Sequence, residues 1–211
     1  MLLAAYRLIL NYMVIYLYGS DSYRRLSKLE ELISEYRRKN PQADIIEADF
    51  EDEPERIAEI CDFLKQPALF SAKKAAIVRN GTAEESKRWI ETLKLFGDSA
   101  DVFVLLSDSV KKPAKRFSFL LKKPVLSQEF GELEGVRLEK FVRALLSMRK
   151  VEFEEASLKV FLKYLASSDS RSWRAKNEIE KLALLGKRIS CDDVSRLIKS
   201  VSYTHLTLPT N

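Results

Sequence analysis

The chain has 211 residues, of which 46% are hydrophobic and 32% charged, so one large or two small globular domains are expected and a disordered chain is excluded. The formal net charge of +5 is compatible with an anionic partner but does not require one. Only two cysteines, Cys61 and Cys191, are present, and their wide separation argues against a zinc cluster and for a reducing compartment, the cytoplasm.

The chain begins with an apolar stretch, Met1 to Leu17, that could be mistaken for a signal peptide or a membrane span. Arg7 and Asn11 interrupt this stretch, and no small-residue cleavage site follows it. We therefore expect a short helix that leads into a first strand, and no membrane partner.

Short apolar runs then alternate with amphipathic stretches as far as residue 130, the pattern of βα units around a parallel sheet. The fourth run is apolar on both faces, which is typical of a central strand. The five predicted strands are Val14 to Tyr18, Asp44 to Ala48, Ala75 to Arg79, Val102 to Leu106 and Val125 to Phe130.

The helices predicted between these strands each have one apolar face. The last of them is short, begins near Pro113 and places Phe117, Leu120 and Leu121 on its apolar face. Strands and helices together predict an α/β fold over residues 1–134, a three-layer domain with a five-stranded parallel sheet.

Strand signals stop after residue 134, and four helical patterns follow, which predicts a small all-helical domain over residues 135–200. The third pattern places Trp173 on the same apolar face as Ile179. The fourth begins at Ser190, where Asp193 stands in place of the Glu of a capping box.

Residues 201–211 carry no Lys, Arg, Asp or Glu and continue no helical period. They resemble the translation of a sequencing adapter, so we expect a non-native tail that plays no part in the fold. The single histidine, His205, lies in this tail, and a mechanism that needs a histidine base would have none.

Residues for nucleotide or metal chemistry are missing where the fold would need them. The turn from Tyr18 to Arg25 has one glycine and no Gly-Lys-Ser/Thr, and Asp21 would oppose a bound phosphate. Asp108 stands alone at the end of the fourth strand, where an ATPase carries consecutive acids, and is expected to cap a helix or turn. The acidic run Asp49 to Glu53 precedes a helix, and acidic side chains interact favourably with the positive N-terminal end of a helix dipole. We therefore expect no catalytic residues, no cofactor and no metal ion.

The segment between the second helix and the third strand reads Gln66-Pro67-Ala68-Leu69-Phe70-Ser71-Ala72-Lys73-Lys74, and we call it the 66–74 connection. Leu69 and Phe70 interrupt it, although such a connection should be polar. One interpretation is that the pair folds under the sheet edge as core. The other is that it forms an apolar anchor for a partner protein.

A basic run without any acid follows the fourth strand. Such a run usually forms a solvated face, and the alternative is a contact with DNA phosphates. The candidate DNA-contacting residues are Lys111, Lys112, Lys115 and Arg116, and Lys122 and Lys123 extend the run.

Three stretches resemble the delta subunit of the bacterial DNA polymerase III clamp loader, and the resemblance covers about residues 14–199. They are Tyr16 to Asp21, Gln66 to Ser71 with Lys73 to Asn80, and Asn177 to Ala183. The resemblance implies an AAA+-like domain with a degenerate ATP site and a helical lid domain. It also implies no intrinsic catalysis, within a complex that serves a DNA-directed DNA polymerase.

In that family a Leu-Phe pair enters an apolar cleft of the ring-shaped sliding clamp and helps to open the ring. Matched by motif, this plug is Leu69 and Phe70, with Pro67 and Ala68 shaping the approach. The implied partners are the sliding clamp (the beta ring), the tau/gamma and delta-prime subunits and, through the complex, primed DNA. The family also has a C-terminal collar domain beyond the region matched here, so we expect clamp binding but poor entry into the full loader.

Three other interpretations remain open from sequence. An active AAA+ or P-loop ATPase would need the missing Gly-Lys-Ser/Thr. A delta-prime-type stator would lack the Leu-Phe plug and usually carry a zinc-binding cysteine cluster. A freestanding DNA-binding domain would depend on the basic run alone.

Overall fold

The structure is a computed structural model that describes residues 13–67, 73–97 and 101–204, with side chains as far as residue 198. The described residues form two compact units that divide between Gly131 and Glu132. In this part of the chain, no helix has the length and apolar character needed to cross a membrane.

The first unit contains a five-stranded sheet in the order β2-β3-β4-β1-β5, and every neighbouring pair is parallel. The predicted five-stranded parallel sheet is therefore confirmed, with shifts of one or two residues at strand ends. The strands are β1 (Val14–Tyr18), β2 (Asp44–Asp49), β3 (Lys74–Arg79), β4 (Val102–Asp108) and β5 (Leu126–Glu129).

Helices cover both faces of this sheet. Because side chains alternate along a strand, Ile15 and Leu17 of β1 pack on the side of α1, while Val14 and Tyr16 pack on the other side. That other side is covered by α2, α3 and a 3-10 helix. The bounds are α1 (Ser22–Lys39), α2 (Ile57–Lys65, entered through the 3-10 turn Pro54–Arg56), α3 (Lys87–Leu95) and the 3-10 helix (Lys115–Leu121).

The last of these elements differs from the prediction. Phe117 and Leu120 are buried, but Leu121 is 40% exposed. A 3-10 helix has three residues per turn, so positions 117 and 120 share a face and position 121 lies beside it.

The second unit consists of four helices around one apolar core. The predicted capping box is confirmed, because the Ser190 amide donates to Asp193 Oδ2 (3.0 Å) and the Asp193 amide donates to Ser190 Oγ (3.4 Å). The helices are α4 (Gly135–Arg149), α5 (Glu155–Ala166), α6 (Arg171–Ala183) and α7 (Cys191–Thr204).

Two predictions for this unit are wrong. Trp173 is 37% exposed whereas Ile179 is buried, because six residues at about 100° each turn the helix well away from the starting face. In addition, α7 continues through residues 201–204, which we expected to continue no helical period. The predicted helix before Val14 and residues 205–211, with His205, lie outside the described residues.

Candidate functional site

The turn between β1 and α1 is closed against the end of β5. Gly19 has φ +126°, and a Cβ atom there would lie 2.4 Å from the Phe130 carbonyl oxygen, so only glycine fits. The Asp21 amide donates to the same Phe130 oxygen (2.8 Å), and the Gly19 amide donates to the Asp108 carbonyl (3.2 Å). This turn therefore packs on the protein's own backbone where a phosphate loop would need open space.

The N-terminus of α1 holds a carboxylate from the chain itself. Asp21 is 2% exposed, and its Oδ1 accepts a hydrogen bond from the Arg24 amide (3.1 Å). The Arg24 guanidinium donates to Asp21 Oδ2 (3.3 Å) and to the Gly131 carbonyl (3.1 Å). A helix N-terminus attracts anions, and here the anion is the N-cap side chain.

Asp108 anchors the turn that follows β3, which confirms the prediction that it caps a turn. It is 1% exposed and accepts hydrogen bonds from the Thr82 amide (3.3 Å) and from Thr82 Oγ1 (2.7 Å). Burial raises the pKa of Asp108, while the hydrogen bonds and Arg25 oppose the shift. The carboxylate is thus engaged by groups of the protein itself.

Two further buried polar groups lie at this edge. Arg25, from the first turn of α1, donates to Ser107 Oγ (2.6 Å), and burial lowers the pKa of its guanidinium. The Tyr16 hydroxyl is buried without a hydrogen-bond partner among the described residues, and burial, then the nearby Asp108 carboxylate, raises its pKa. Neither Arg25 nor Tyr16 was identified from sequence, because their neighbours come from distant strands.

The acidic run before α2 also has structural partners. Asp49 accepts a hydrogen bond from Asn80 Nδ2 (2.8 Å), and Glu53 pairs with Arg56 (3.2 Å). Across the described ranges, no group of three or more His, Cys, Asp or Glu could hold a metal ion.

The second end of the 66–74 connection, Lys74, lies at the opposite, amino edge of the sheet, where β3 begins. Pro67 is exposed immediately after α2, and Ala68, Leu69 and Phe70 lie outside the described residues. Lys74 is only 6% exposed, and its Nζ donates to the carbonyls of Phe63 (2.6 Å) and Gln66 (2.7 Å). Sequence reasoning treated Lys74 as a polar loop residue. The missed signal is a lysine at the first position of a buried strand, directly after a helix end.

The basic run lies on the surface. Lys111, Lys112 and Lys115 are exposed, and none has an ion pair or hydrogen bond to the described part of the chain. Arg116 is exposed too, but it pairs with Glu85 (3.2 Å). Three of the four candidate DNA-contacting residues therefore present uncompensated charge.

The described residues thus form a parallel five-stranded sheet covered on both faces and a helical unit, an α/β architecture that can be compared with solved structures. No protein-family profile matches this chain, and no curated protein matches it. Several solved structures, however, are similar to this chain.

The chain is similar to the DNA clamp loader delta protein of Bacillus subtilis (YqeN), with a TM-score of 0.52 and 19% identity over 93% of this chain and 62% of that one. It is also similar to domain III of the replication initiation protein DnaA from Thermotoga maritima (TM-score 0.59, 15% identity, 93% of this chain and 90% of that one). A third match is the Thermotoga maritima RuvB Holliday junction branch migration motor, with a TM-score of 0.58 and 13% identity over 89% of this chain and 61% of that one.

The chain thus spans less than two thirds of the length of the delta protein and of RuvB. At these identities the comparisons establish the fold. The resemblance to the clamp loader delta family is confirmed as a similarity of structure.

Proposed function

We propose that this chain is a delta-type subunit of a bacterial clamp loader, acting in the cytoplasm. In this proposal it binds the sliding clamp through Leu69 and Phe70 and helps to open the ring without hydrolysing ATP. It would act beside tau/gamma and delta-prime subunits, which would supply the ATPase activity and bring primed DNA to the complex.

The observation that carries the proposal is the Asp21 carboxylate at the N-terminus of α1. In open α/β sheets, ligands bind at the carboxyl ends of the strands, and phosphates bind at helix N-termini. An internal carboxylate there repels a nucleotide phosphate, and Gly19 packed under Phe130 leaves no loop to cradle it. An AAA+-type fold that lacks nucleotide binding suits a subunit that acts by binding another protein.

The proposed action on the clamp follows from differential binding. Burying two large apolar side chains is worth roughly 3 to 6 kcal/mol before association costs, at about 1.5 to 3 kcal/mol each. A ring with a closed and an open state moves toward the state that the ligand binds better. A plug that fits only the distorted interface therefore favours the open ring.

The test is binding of the chain to a bacterial sliding clamp, with and without a Leu69→Ala, Phe70→Ala double substitution. We expect the double variant to lose about 2 kcal/mol or more, roughly a thirtyfold weaker complex, as interface hot spots do. Leu95→Ala is the matched control, because Leu95 is an apolar side chain of the same unit that is 64% exposed on α3. Equal binding by parent and double variant would contradict the plug assignment.

The ATPase alternative has its own test. ATP with magnesium should leave the thermal unfolding midpoint unchanged, because a ligand stabilises a protein only when it binds the folded state. A midpoint that rises with ATP concentration would favour an ATPase-like protein instead.

DNA contact is a second candidate function, favoured by the exposed charges of Lys111, Lys112 and Lys115. Its test is DNA binding measured at several salt concentrations. Phosphate contacts predict an affinity that falls steeply with salt, with a shallower slope after a Lys111→Ala, Lys112→Ala, Lys115→Ala triple substitution. Arg116→Ala should change the slope less, because Glu85 already compensates its charge.

A further inference from the structure

Two turns of the second unit lie side by side, the turn from α4 to α5 (residues 150–154) and the turn from α6 to α7 (residues 184–190). The Ile189 amide donates to the Glu152 carbonyl (2.8 Å), and the Glu154 amide donates to the Ile189 carbonyl (3.1 Å). These two hydrogen bonds belong to a parallel β-bridge, and Ile189 is fully buried. The two turns are therefore held in a fixed arrangement.

The two turns and the helix ends before them surround a concavity of about 240 Å³, which we call the basic concavity. In the part of the chain that the structure describes, four cationic side chains and one carboxylate line it. The cations are Arg149, Lys150, Lys187 and Arg188, and the carboxylate is that of Glu152. This excess of positive charge favours an anionic ligand.

Capping of helix C-termini is the ordinary reason for cations at such a place, because α4 and α6 both end here. Carbonyls at both helix ends, however, already accept hydrogen bonds from the backbone. The Val151 amide donates to the Leu146 carbonyl (3.0 Å), and the Gly186 amide donates to the Ala183 carbonyl (3.3 Å). The last turn of each helix also carries a basic residue of its own. Capping therefore leaves the further cations of the basic concavity unexplained.

Two of the four cations have partners in the second unit, and two do not. Arg149 and Lys187 each pair with a carboxylate, Lys187 at 2.8 Å. Lys150 and Arg188 are exposed, and neither side chain makes an ion pair or hydrogen bond within the described ranges. Glu152 is exposed and unpaired in the same ranges, and it opposes an anion. An anionic group can thus engage Lys150 and Arg188 without breaking an existing ion pair.

The size and the donors of the basic concavity fit a phosphate group. Sites that enclose a whole small molecule usually measure roughly 300 to 1,000 Å³, so the volume of about 240 Å³ is small for a nucleotide but ample for one phosphate. A guanidinium binds phosphate oxygens through two parallel N–H groups, and an ammonium adds a point charge. DNA projects its phosphates away from the bases, and their contact with cations releases condensed counterions. Among anionic partners, DNA therefore fits these observations best.

We propose that the basic concavity is a binding site for phosphates of the DNA backbone, in which Lys150 and Arg188 contact the phosphate oxygens. Arg149 and Lys187 add to the positive field around them. The site does not distinguish DNA sequences, because its ligand is the phosphate alone. This inference goes beyond the proposed function and does not depend on clamp binding.

The experiment measures the binding of a short fluorescein-labelled DNA duplex by fluorescence anisotropy at several salt concentrations. Every chain carries the Lys111→Ala, Lys112→Ala, Lys115→Ala triple substitution, so that the basic run of the first unit does not contribute. We expect a further Lys150→Ala, Arg188→Ala double substitution to weaken binding about fivefold or more at low salt. The slope of log affinity against log salt should become shallower by about 1.8, at about 0.9 for each of two lost phosphate contacts.

Lys159→Ala, Lys163→Ala is the matched control. Both lysines are exposed on α5, neither has an ion pair among the described residues, and their loss changes the net charge by the same amount. The control should weaken DNA binding less than about twofold and leave the salt slope nearly unchanged. Equal losses for the two double variants would overturn the proposal, because they would report net charge and not a site. Urea denaturation checks that both variants are as stable as the reference chain.

Glu152→Gln tests the site in the opposite direction. Removing the carboxylate that lines the basic concavity should tighten DNA binding about twofold or more, but only while Lys150 and Arg188 are present. A purely structural role of the concavity would not produce such a gain, and an unchanged affinity would overturn the proposal.

Competition with poly-glutamate tests the other kind of anionic partner, an acidic protein segment. We expect unlabelled duplex to displace the labelled duplex at a much lower concentration of charge than poly-glutamate does. Equal competition at equal charge would assign the basic concavity to acidic proteins and overturn the DNA assignment. Absence of DNA binding by the reference chain at low salt would overturn it as well.

Discussion

The two edges of the parallel sheet in the first unit carry different buried charged groups. At the carboxyl edge, Asp21 and Asp108 are buried and bind groups of the same unit. At the amino edge, the Lys74 ammonium closes the base of a connection that leaves α2 at an exposed Pro67.

This difference affects which edge of the sheet is available for binding. The carboxyl edge is where open α/β sheets usually bind ligands. In this chain Asp21 and Asp108 of that edge already bind groups of the same unit. Under the proposed function the clamp is met elsewhere, through Leu69 and Phe70. The comparison predicts that removing an acceptor or a backbone fit at the carboxyl edge lowers stability and spares clamp binding.

Asp108→Ala should have the largest effect on stability. It leaves the Thr82 amide and hydroxyl without their acceptor and removes a negative charge that favours the charged form of the buried Arg25, so we expect a loss of about 3 kcal/mol in the free energy of unfolding. Denaturation is followed by Trp89 fluorescence in a Trp173→Phe background, because Trp89 is buried in the first unit.

Asp62→Ala is the control for this experiment, since Asp62 is an exposed aspartate that pairs with Arg88 on the surface. Its loss should stay below about 1 kcal/mol. Folded Asp108→Ala protein should bind the clamp with parental affinity. A matching fall in affinity would mean that the two edges are not independent.

Gly19→Ala should be the next most damaging change. The new Cβ would meet the Phe130 carbonyl at 2.4 Å in a backbone conformation with φ +126°, which we expect to cost about 2 kcal/mol or more. Gly131→Ala is the matched comparison, because a Cβ there meets only Glu129 Oε1 at 3.8 Å, and it should change stability by less than about 0.5 kcal/mol. Equal effects in chemical denaturation would show that the turn is not tightly closed.

The pH dependence of stability should show a smaller effect of the buried Asp108 at the carboxyl edge. Burial raises the pKa of Asp108, so between its ordinary value of about 4 and the raised value the folded state holds a proton that the unfolded state lacks. The free energy of unfolding of the first unit should fall as pH rises through that window. Asp108→Asn should remove this slope, and an unchanged slope would assign it to another group.

Asp193 in the second unit should change the free energy of unfolding with pH in the opposite direction. The Lys187 ammonium, with hydrogen bonds from Ser190, lowers the pKa of Asp193. Its contribution to stability is present above the ordinary aspartate pKa and is lost as pH falls below it. The Trp89 probe is therefore needed to separate the two units.

The smallest expected effect comes from a pair of buried tyrosines. Tyr36→Phe should cost about 1 kcal/mol, because the Tyr36 hydroxyl donates to the Lys74 carbonyl (3.2 Å). Tyr16→Phe should change stability by less than about 0.5 kcal/mol, since the Tyr16 hydroxyl has no partner in the described part of the chain to lose. Thermal unfolding of the two variants side by side checks this, and a larger loss for Tyr16→Phe would reveal a hydrogen bond at the carboxyl edge.

The sequence by itself determined the secondary-structure elements and one local cap. Apolar runs predicted the central strands β1, β3 and β4, because burial on both faces leaves a local signal in the chain. The edge strands β2 and β5 are only partly buried, and they were predicted from the alternation of strand and helix patterns. The spacing of Ser190 and Asp193 predicted a cap, because both partners lie within one helical turn. The single glycine near Asp21 predicted the loss of a phosphate site, because that chemistry depends on residue types at fixed local spacing.

Only the tertiary structure decided which distant groups meet. The strand order brings Ser107 to Arg25, 82 positions away, and Asp108 to Thr82, 26 positions away. The burial of Lys74 likewise depends on how α2 ends over β3. Local periodicity records which face of an element is apolar, but it carries no record of its neighbours in the sheet, and those neighbours decide which polar groups find partners.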